Sequence, residues 1–385
     1  MIDPRLDRRF PDAAALETAA ARRLPGFLRD YLEGGIGPET ALRRNRAALD
    51  AVRLAPRYLV DDSAPHMAVD VAGTEWRAPF GVAPLGLGGL IWPGAEAMIA
   101  RAAATAEIGH VLSTFATSAL EDIAPIAGWG AAFQLYPPAD PGMEADLIAR
   151  ARAAGYRVLM VTVDIPGPTR RRRDIRNGLS VPPRLSPRGL GQIMAAPAWA
   201  LGAARHGVPG FGTLAPYFPG TDMAAAAEFL DRMMQGHIGP DRLARIRAAW
   251  PGALIIKGVL GVADAALAME LGADGVVVSN HGGRQLDAAP TAPEVLPAIR
   301  DRLGANALVL ADGGVRSGLD IARMIALGAD AVLIGRPFLQ AAAAMGPPGP
   351  LHLAQLLQAE LQTTMIQLGV ARLSELRGTL WRPDV

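Results

Sequence analysis

The sequence predicts an α/β fold in which eight parallel strands, alternating with helices, close into a (β/α)8 barrel. Three observations carry this expectation. The stretch "LGADGVVVSN" (271–280) recurs as "LGADAVLIGR" (327–336), 56 residues later, and a further apolar strand, "ALVLADGG" (307–314), lies between them. Half that spacing, about 28 residues, is the length of one βα unit. Five more short apolar segments precede these three, and eight strands separated by helical stretches imply a closed parallel barrel rather than an open sheet. Finally, nearly every segment runs into polar or glycine-rich residues: Gly86, Ser113, Gln134 with Tyr136, Thr162 with Asp164, Lys257, His281, Asp312 and Arg336. In such barrels the C-terminal ends of the strands form the active face.

Taken in order, residues 1 to about 75 read as a mostly helical cap, because "DAAALETAAARRLPGFLRDYLEGG" (12–35) carries helical spacing and ends in a glycine pair. The strands are "PFGVAPLG", "HVLSTF", "AAFQLY", "VLMVTVD", "ALIIKG", "GVVVSN", "ALVLADGG" and "AVLIGR", within a barrel assigned to 76–350. The helices are amphipathic, as in "GLDIARMIALGAD" (318–330), with glycine after the last turn. Almost 90 residues separate the fourth and fifth strands. One βα connection does not need so many, so an insertion at about 177–240 is expected. An amphipathic closing helix, "LHLAQLLQAELQTTMIQLG", and a tail occupy 351–385, and the whole of 1–385 is read as one domain.

Composition narrows the function. The 385 residues are 50% apolar with a net charge of +1, which leaves no electrostatic footprint for nucleic acid. The absence of cysteine excludes disulfides, thiolate metal sites and iron–sulfur clusters, and no metal site is expected. The start "MIDPRLDRRFPD" has no apolar signal-peptide core, and no run of 18 apolar residues offers a membrane span, so a cytoplasmic protein is expected. Lys257 is the only lysine among 38 basic residues. A bias in the gene explains arginines but not this one exception, at the end of an apolar strand; lysine is a compact point charge where arginine is a wide planar one.

The rim carries chemistry. "ADGGVRSG" (311–318) and "IGRP" (334–337) end the last two strands, where glycines admit an anion to backbone N–H groups and arginines add charge. No GxGxxG follows the first strand, which argues against a Rossmann cofactor site. In "GVVVSNHGGRQLD" (275–287) a buried strand delivers His281 and Arg284 to the rim. A lone histidine is weak evidence. Here Arg284 suits a carboxylate, Asp164 can orient the imidazole, Tyr136 offers a hydroxyl and Lys257 lies on the adjacent strand. The set points to an organic acid beside a phosphate-bearing cofactor.

These residues resemble the FMN-dependent 2-hydroxy-acid dehydrogenase and oxidase family, which includes glycolate oxidase, L-lactate dehydrogenase and mandelate dehydrogenase. The motifs are "LPGFLRDYLEGG", "APLGLGGL", "LSTFATS", "FQLY", "TVD", "IKG", "SNHGGRQLD", "DGGVR" and "IGRP", in that order from about residue 24 to 369. The resemblance implies FMN as cofactor and oxidation of an (S)-2-hydroxy acid to the 2-oxo acid. It implies His281 as base with Asp164 bonded to it, Arg284 and Arg171 holding the substrate carboxylate, and Tyr31 and Tyr136 bonding the carboxylate or hydroxyl. Lys257 would lie against the flavin ring, with Ala83, Pro84, Leu85, Gly86, Ser113, Gln134, Thr162 and Ser279 around it. Asp312 would meet the ribityl chain, and Gly314, Arg316, Gly335 and Arg336 the phosphate. Phe115 stands where the family varies substrate size, and its ring favours a small or medium acid such as lactate, whereas "APLGLGGLIWP" resembles the mandelate enzyme, so a mandelate- or lactate-like acid is implied. Gly86, where the family's oxidases carry alanine, favours a dehydrogenase that passes electrons to a quinone or other carrier; the alternative is an oxygen-using oxidase producing hydrogen peroxide. A homotetramer is implied as well.

Two other classes share part of this pattern: an FMN barrel acting on a phosphorylated or isoprenoid substrate, and a non-enzymatic flavin binder. Neither needs His281, Arg284 and Tyr136 together. From 189 to 221 the only permanently charged residue is Arg205; Trp199, Phe211, Tyr217 and Phe218 punctuate the stretch, and Pro197, Pro209, Pro216 and Pro219 forbid one continuous helix. Such an apolar surface needs a cover. The candidates are a neighbouring subunit, the active site beneath a lid, or the cytoplasmic face of a membrane, although the stretch lacks the basic cluster that anionic lipid attracts.

Overall fold

Eight strands form the closed parallel barrel: β3 (Phe80–Val82), β4 (Gly109–Ser113), β5 (Ala131–Leu135), β6 (Val158–Thr162), β7 (Ala253–Val259), β8 (Gly275–Val278), β9 (Leu308–Asp312) and β10 (Ala331–Ile334), with β10 pairing back onto β3. The structure is a computed structural model that describes residues 2–60, 64–167, 169–178, 186–207, 209–218, 229, 233 and 237–381. The strands read as near-continuous apolar runs because both faces are covered. Val111, Ala132, Met160, Ile255, Val277, Leu310 and Leu333 fill the barrel interior, while Leu112, Phe133, Val161, Ile256, Val278 and Ile334 pack outward against the helices.

The region read as a mostly helical cap holds the helices Pro4–Arg9, Ala13–Arg23, Gly26–Glu33 and Thr40–Ala51. The second begins where Asp12 accepts a hydrogen bond from the Ala15 N–H, and it buries Leu16 and Ala20. The region also holds an antiparallel hairpin, β1 (Val69–Val71) with β2 (Thr74–Trp76), which the helical reading did not anticipate. The alternation in "VDVAGTEW" and the two-residue turn Ala72–Gly73, both at positive φ, are its local signal. Val71 and Trp76 join the interior core and close the N-terminal end of the barrel.

The closing helix begins three residues earlier than expected, at Pro348, and runs to Leu368 before Gly369 stops it in the left-handed conformation. It packs against the helices Ala95–Ala106, Gly318–Leu327 and Arg336–Met345. Within the insertion, Pro187 and Pro197 each open a short helix, Pro187–Met194 and Pro197–His206. These lie against the cap, where Gln192 accepts from the Phe27 N–H at 2.8 Å and the buried Trp199 meets the Phe27 ring edge to face at 6.3 Å, and against the segment after β3, where Trp199 donates to the Leu90 carbonyl at 3.0 Å. Pro219 falls outside the described residues. Among the described residues no helix is long and apolar enough to cross a membrane.

Candidate active site

A cavity of about 350 Å³ opens at the C-terminal ends of the barrel strands. At its centre, His281 Nδ1 lies 3.0 and 3.2 Å from the two carboxylate oxygens of Asp164. Two local features make the meeting possible. His281 takes a left-handed backbone (φ 57°), an uncommon conformation for a residue with a Cβ, and its N–H donates to Ser279 Oγ at 3.0 Å. Across β7, a Cβ on Gly258 would sit 2.5 Å from Asp164 Cγ, so only glycine leaves the aspartate its place. Burial pushes the Asp164 carboxyl upward, but the charge and hydrogen bond of His281 and the charge of Lys257 outweigh it and hold the group below its usual value. With Nδ1 facing this carboxylate, Nε2 is left toward Tyr136, whose hydroxyl is 3.4 Å away. Burial pushes the Tyr136 phenol strongly upward, so it stays protonated and able to donate.

Beside this group two guanidinium groups lie over the Tyr31 ring, with Arg171 Cζ 5.1 Å and Arg284 Cζ 5.0 Å from its centroid. Arg284 Nη1 donates to the carbonyls of Tyr31, Leu32 and Gly34, which ties the signature loop to the cap; Arg171 is paired with Asp174 at 3.1 Å, and its Nη1 is buried without a partner among the described residues. The cavity is also lined by Gly314, Arg316, Gly335 and Arg336. Arg336 donates to the carbonyls of Leu32, Gly34 and Gly282. Burial lowers the guanidinium pKa of Arg284, Arg316 and Arg336, and mutual repulsion with neighbouring arginines adds to it. Desolvated cations crowded in one wall favour an anion there.

Lys257 is 3% exposed. Its Nζ is 2.8 Å from Asp312 Oδ2 and donates to Ser279 Oγ at 2.9 Å. Ala83, Pro84, Leu85, Gly86, Ser113 and Phe115 line the adjoining wall. Gln134, Thr162, Ser279 and Asp164 are not in the lining and sit just behind it: Gln134 accepts from Ser113 Oγ at 3.0 Å, while its Nε2 and the Thr162 hydroxyl are buried without partners among the described residues. Sequence reasoning did not assign Ile165, Gly167, Thr169, Phe211, Gln285 and Leu333, which also line the cavity. Phe211 was visible as an aromatic of the insertion, but nothing local says that the insertion folds back over the rim.

Residues 20–383 match the model of the FMN-dependent dehydrogenase family. An L-lactate dehydrogenase of Caulobacter vibrioides is 41% identical over 366 residues, covering 94% of this chain and 95% of that protein. An L-lactate dehydrogenase of Pseudomonas aeruginosa is 39% identical over 360 residues, covering 93% and 94%. Among solved structures, the monotopic membrane protein (S)-mandelate dehydrogenase superposes with a TM-score of 0.91 at 34% identity, covering 96% of this chain and 98% of that one. A mandelate oxidase superposes at 0.82 with 35% identity, covering 96% and 97%. With a match that spans nearly the whole chain and a barrel rim that gathers the motif residues into one cavity, this chain belongs to the FMN-dependent dehydrogenase family.

Proposed function

We propose that the protein oxidises an (S)-2-hydroxy acid with a small or medium aliphatic side chain to the 2-oxo acid, and that a quinone or other carrier then collects the electrons from FMN. The observation that carries the reading is the His281–Asp164 pair set beside Arg171 and Arg284 in a single cavity. The side chains fit FMN. Gln134 Nε2, the Thr162 hydroxyl and Asp312 Oδ1 are buried polar atoms near the cavity wall without partners among the described residues, and the arginines Arg316 and Arg336 suit a phosphate. When bound, FMN supplies the acceptor for the two electrons of the carbinol. Lys257, beside Asp312 and Ser279, would hold a compact positive charge against the ring.

The substrate carboxylate sits against Arg171 and Arg284, which fixes the carbinol toward His281. His281 Nε2 takes a proton, and Asp164, kept ionised, holds the ring in the right tautomer and stabilises the imidazolium that forms. Tyr136, kept as a phenol, donates to the substrate. The lactate dehydrogenases among the relatives and the ring of Phe115 in the cavity favour an aliphatic substrate over an aryl one. Leu190, Met194 and Leu201 are exposed on the two insertion helices. We assign them to peripheral attachment at the cytoplasmic face of a membrane, where a quinone would be met, in a homotetramer.

Anaerobic addition of L-lactate, glycolate and (S)-mandelate to the FMN-loaded protein tests the activity. Bleaching is expected with lactate first; no bleaching with any 2-hydroxy acid would overturn the reading. Stopped-flow mixing of the reduced protein with air-saturated buffer separates the acceptors: slow reoxidation supports the dehydrogenase, and rapid oxygen consumption at substrate saturation makes it an oxidase. Fractionation of cells at low salt, followed by sedimentation of the purified protein, checks attachment and assembly; a protein wholly in the supernatant would remove the membrane.

A further inference from the structure

We propose that Phe211, delivered by the insertion, and Phe115, at the exit of β4, form a two-ring gate that sets the largest substrate side chain the cavity admits. The proposal rests on the 2-hydroxy-acid reading and adds to it a specificity residue from outside the barrel. Both rings line the cavity and meet edge to face, with centroids 5.6 Å apart. Phe115 also lies 5.1 Å from the Tyr136 ring, and the Tyr136 hydroxyl is 3.4 Å from His281 Nε2. The rings therefore form an apolar wall that starts at the reacting end of the cavity. Behind Phe211 stands Phe218, at 6.3 Å, which supports it from outside.

Phe211 is held in place by the same turn that carries Phe115. The Gly212 N–H donates to the Ala116 carbonyl at 3.1 Å. A Cβ on Gly212 would lie 2.5 Å from Ala119 N and Ser118 C, so the close approach needs glycine. Leu214 is fully buried, and the Thr213 carbonyl accepts from Arg150 Nη1 at 2.9 Å. Glu96, itself buried, accepts from the N–H groups of Thr117 (2.7 Å) and Ser118 (2.6 Å) and from the Thr117 hydroxyl (2.7 Å), which stiffens the turn from below. The two phenylalanines thus ride on one hydrogen-bonded block. Trimming Phe115 alone leaves half of the wall standing, and size selection is shared between a barrel loop and the insertion.

The test is kcat/KM for L-lactate, (S)-2-hydroxyoctanoate and (S)-mandelate in wild type, Phe211→Ala, Phe115→Ala and the double variant, with FMN content measured in each. Phe211→Leu serves if the alanine variant fails to fold. Binding of pyruvate and benzoylformate, read from the flavin absorbance, gives the same comparison without turnover. The expected result is a rise of about tenfold in the mandelate-to-lactate ratio for Phe211→Ala. The double variant should depart from the product of the single effects, because touching groups are not additive. Ratios within twofold of wild type for Phe211→Ala, in both turnover and keto-acid binding, would overturn the gate. If no 2-hydroxy acid reduces the wild type, the proposed function falls, and the keto-acid binding ratio still decides the gate.

Discussion

His281 combines a left-handed backbone with a carboxylate 3.0 Å from its ring, and both features serve to aim one nitrogen at the cavity. His281→Gln should keep FMN, because Arg316, Arg336 and Lys257 are left in place, and should lose about 10²–10⁴-fold in the rate of flavin reduction, the usual contribution of a general base. Anaerobic stopped-flow absorbance reads this directly; a rate near wild type removes His281 from the chemistry. Lys257 makes a different kind of contribution. Its charge is buried against Asp312, so Lys257→Met strands a carboxylate in the barrel and should cost about 3–5 kcal/mol. Adding Asp312→Asn should return part of that loss, and Lys257→Arg should not rescue flavin reduction, because the space between Asp312 and Ser279 fits an ammonium. Thermal midpoints of the holoenzyme and reduction rates check both statements; equal midpoints for Lys257→Met and wild type would refute the first. The sequence already singled out both residues, one by motif and one by its uniqueness. It could not show that Gly258 is the residue that makes room for Asp164.

At the scale of elements, the cap helix Thr40–Ala51 joins the two loops that bear the site. Asn45 and Asn280 exchange side-chain hydrogen bonds of 2.9 and 2.7 Å, both buried, and Asn280 Oδ1 also accepts from the Gly283 N–H in the signature loop. One residue on, Arg46 donates to the Gly314 carbonyl at 2.9 Å and to Asp320 at 2.6 Å. The helix thereby spaces the His281 loop from the phosphate-side loop. Asn45→Leu removes two of the hydrogen bonds of the buried Asn280 amide, leaving those to the Gly283 N–H and the Pro290 carbonyl, at a cost of about 1–3 kcal/mol. It should weaken FMN binding about tenfold, the equivalent of 1.4 kcal/mol. Titration of the apoprotein with FMN, followed by flavin fluorescence, measures it; an unchanged dissociation constant and midpoint would show that the helix is a passive cover. Helical spacing made this element legible, but not what it holds, because an amide pair 235 residues apart in sequence leaves no local trace.

For the whole molecule, stability is tied to burial on both sides of the barrel wall. His110 is 4% exposed on β4, and burial pushes its pKa down to about 4 from an ordinary 6.5. The unfolded chain binds the proton near the ordinary value, and the folded one resists it. Stability from the neutral imidazole is therefore complete above pH 6.5 and is lost as the pH falls through 6.5 toward 4. The loss is roughly 3 kcal/mol at the usual 1.4 per pH unit. Thermal midpoints at pH 7.5 and 4.5 should fall further for wild type than for His110→Leu; parallel falls would assign the acid sensitivity to other groups.

The sequence by itself determined the barrel and most of the residues around its cavity, because period, apolar strand runs and motif order are local properties of the chain. The β1–β2 hairpin was equally local in its alternation and turn, and was hidden only by the helices around it. What the tertiary structure alone decided was proximity across long separations: Trp76 beneath the barrel, Asn45 against Asn280, and Phe211 brought back to Phe115. Those contacts arise from packing and from the close approach of Gly212 to the β4 turn. Steric fit of that kind exists only once the backbones have met.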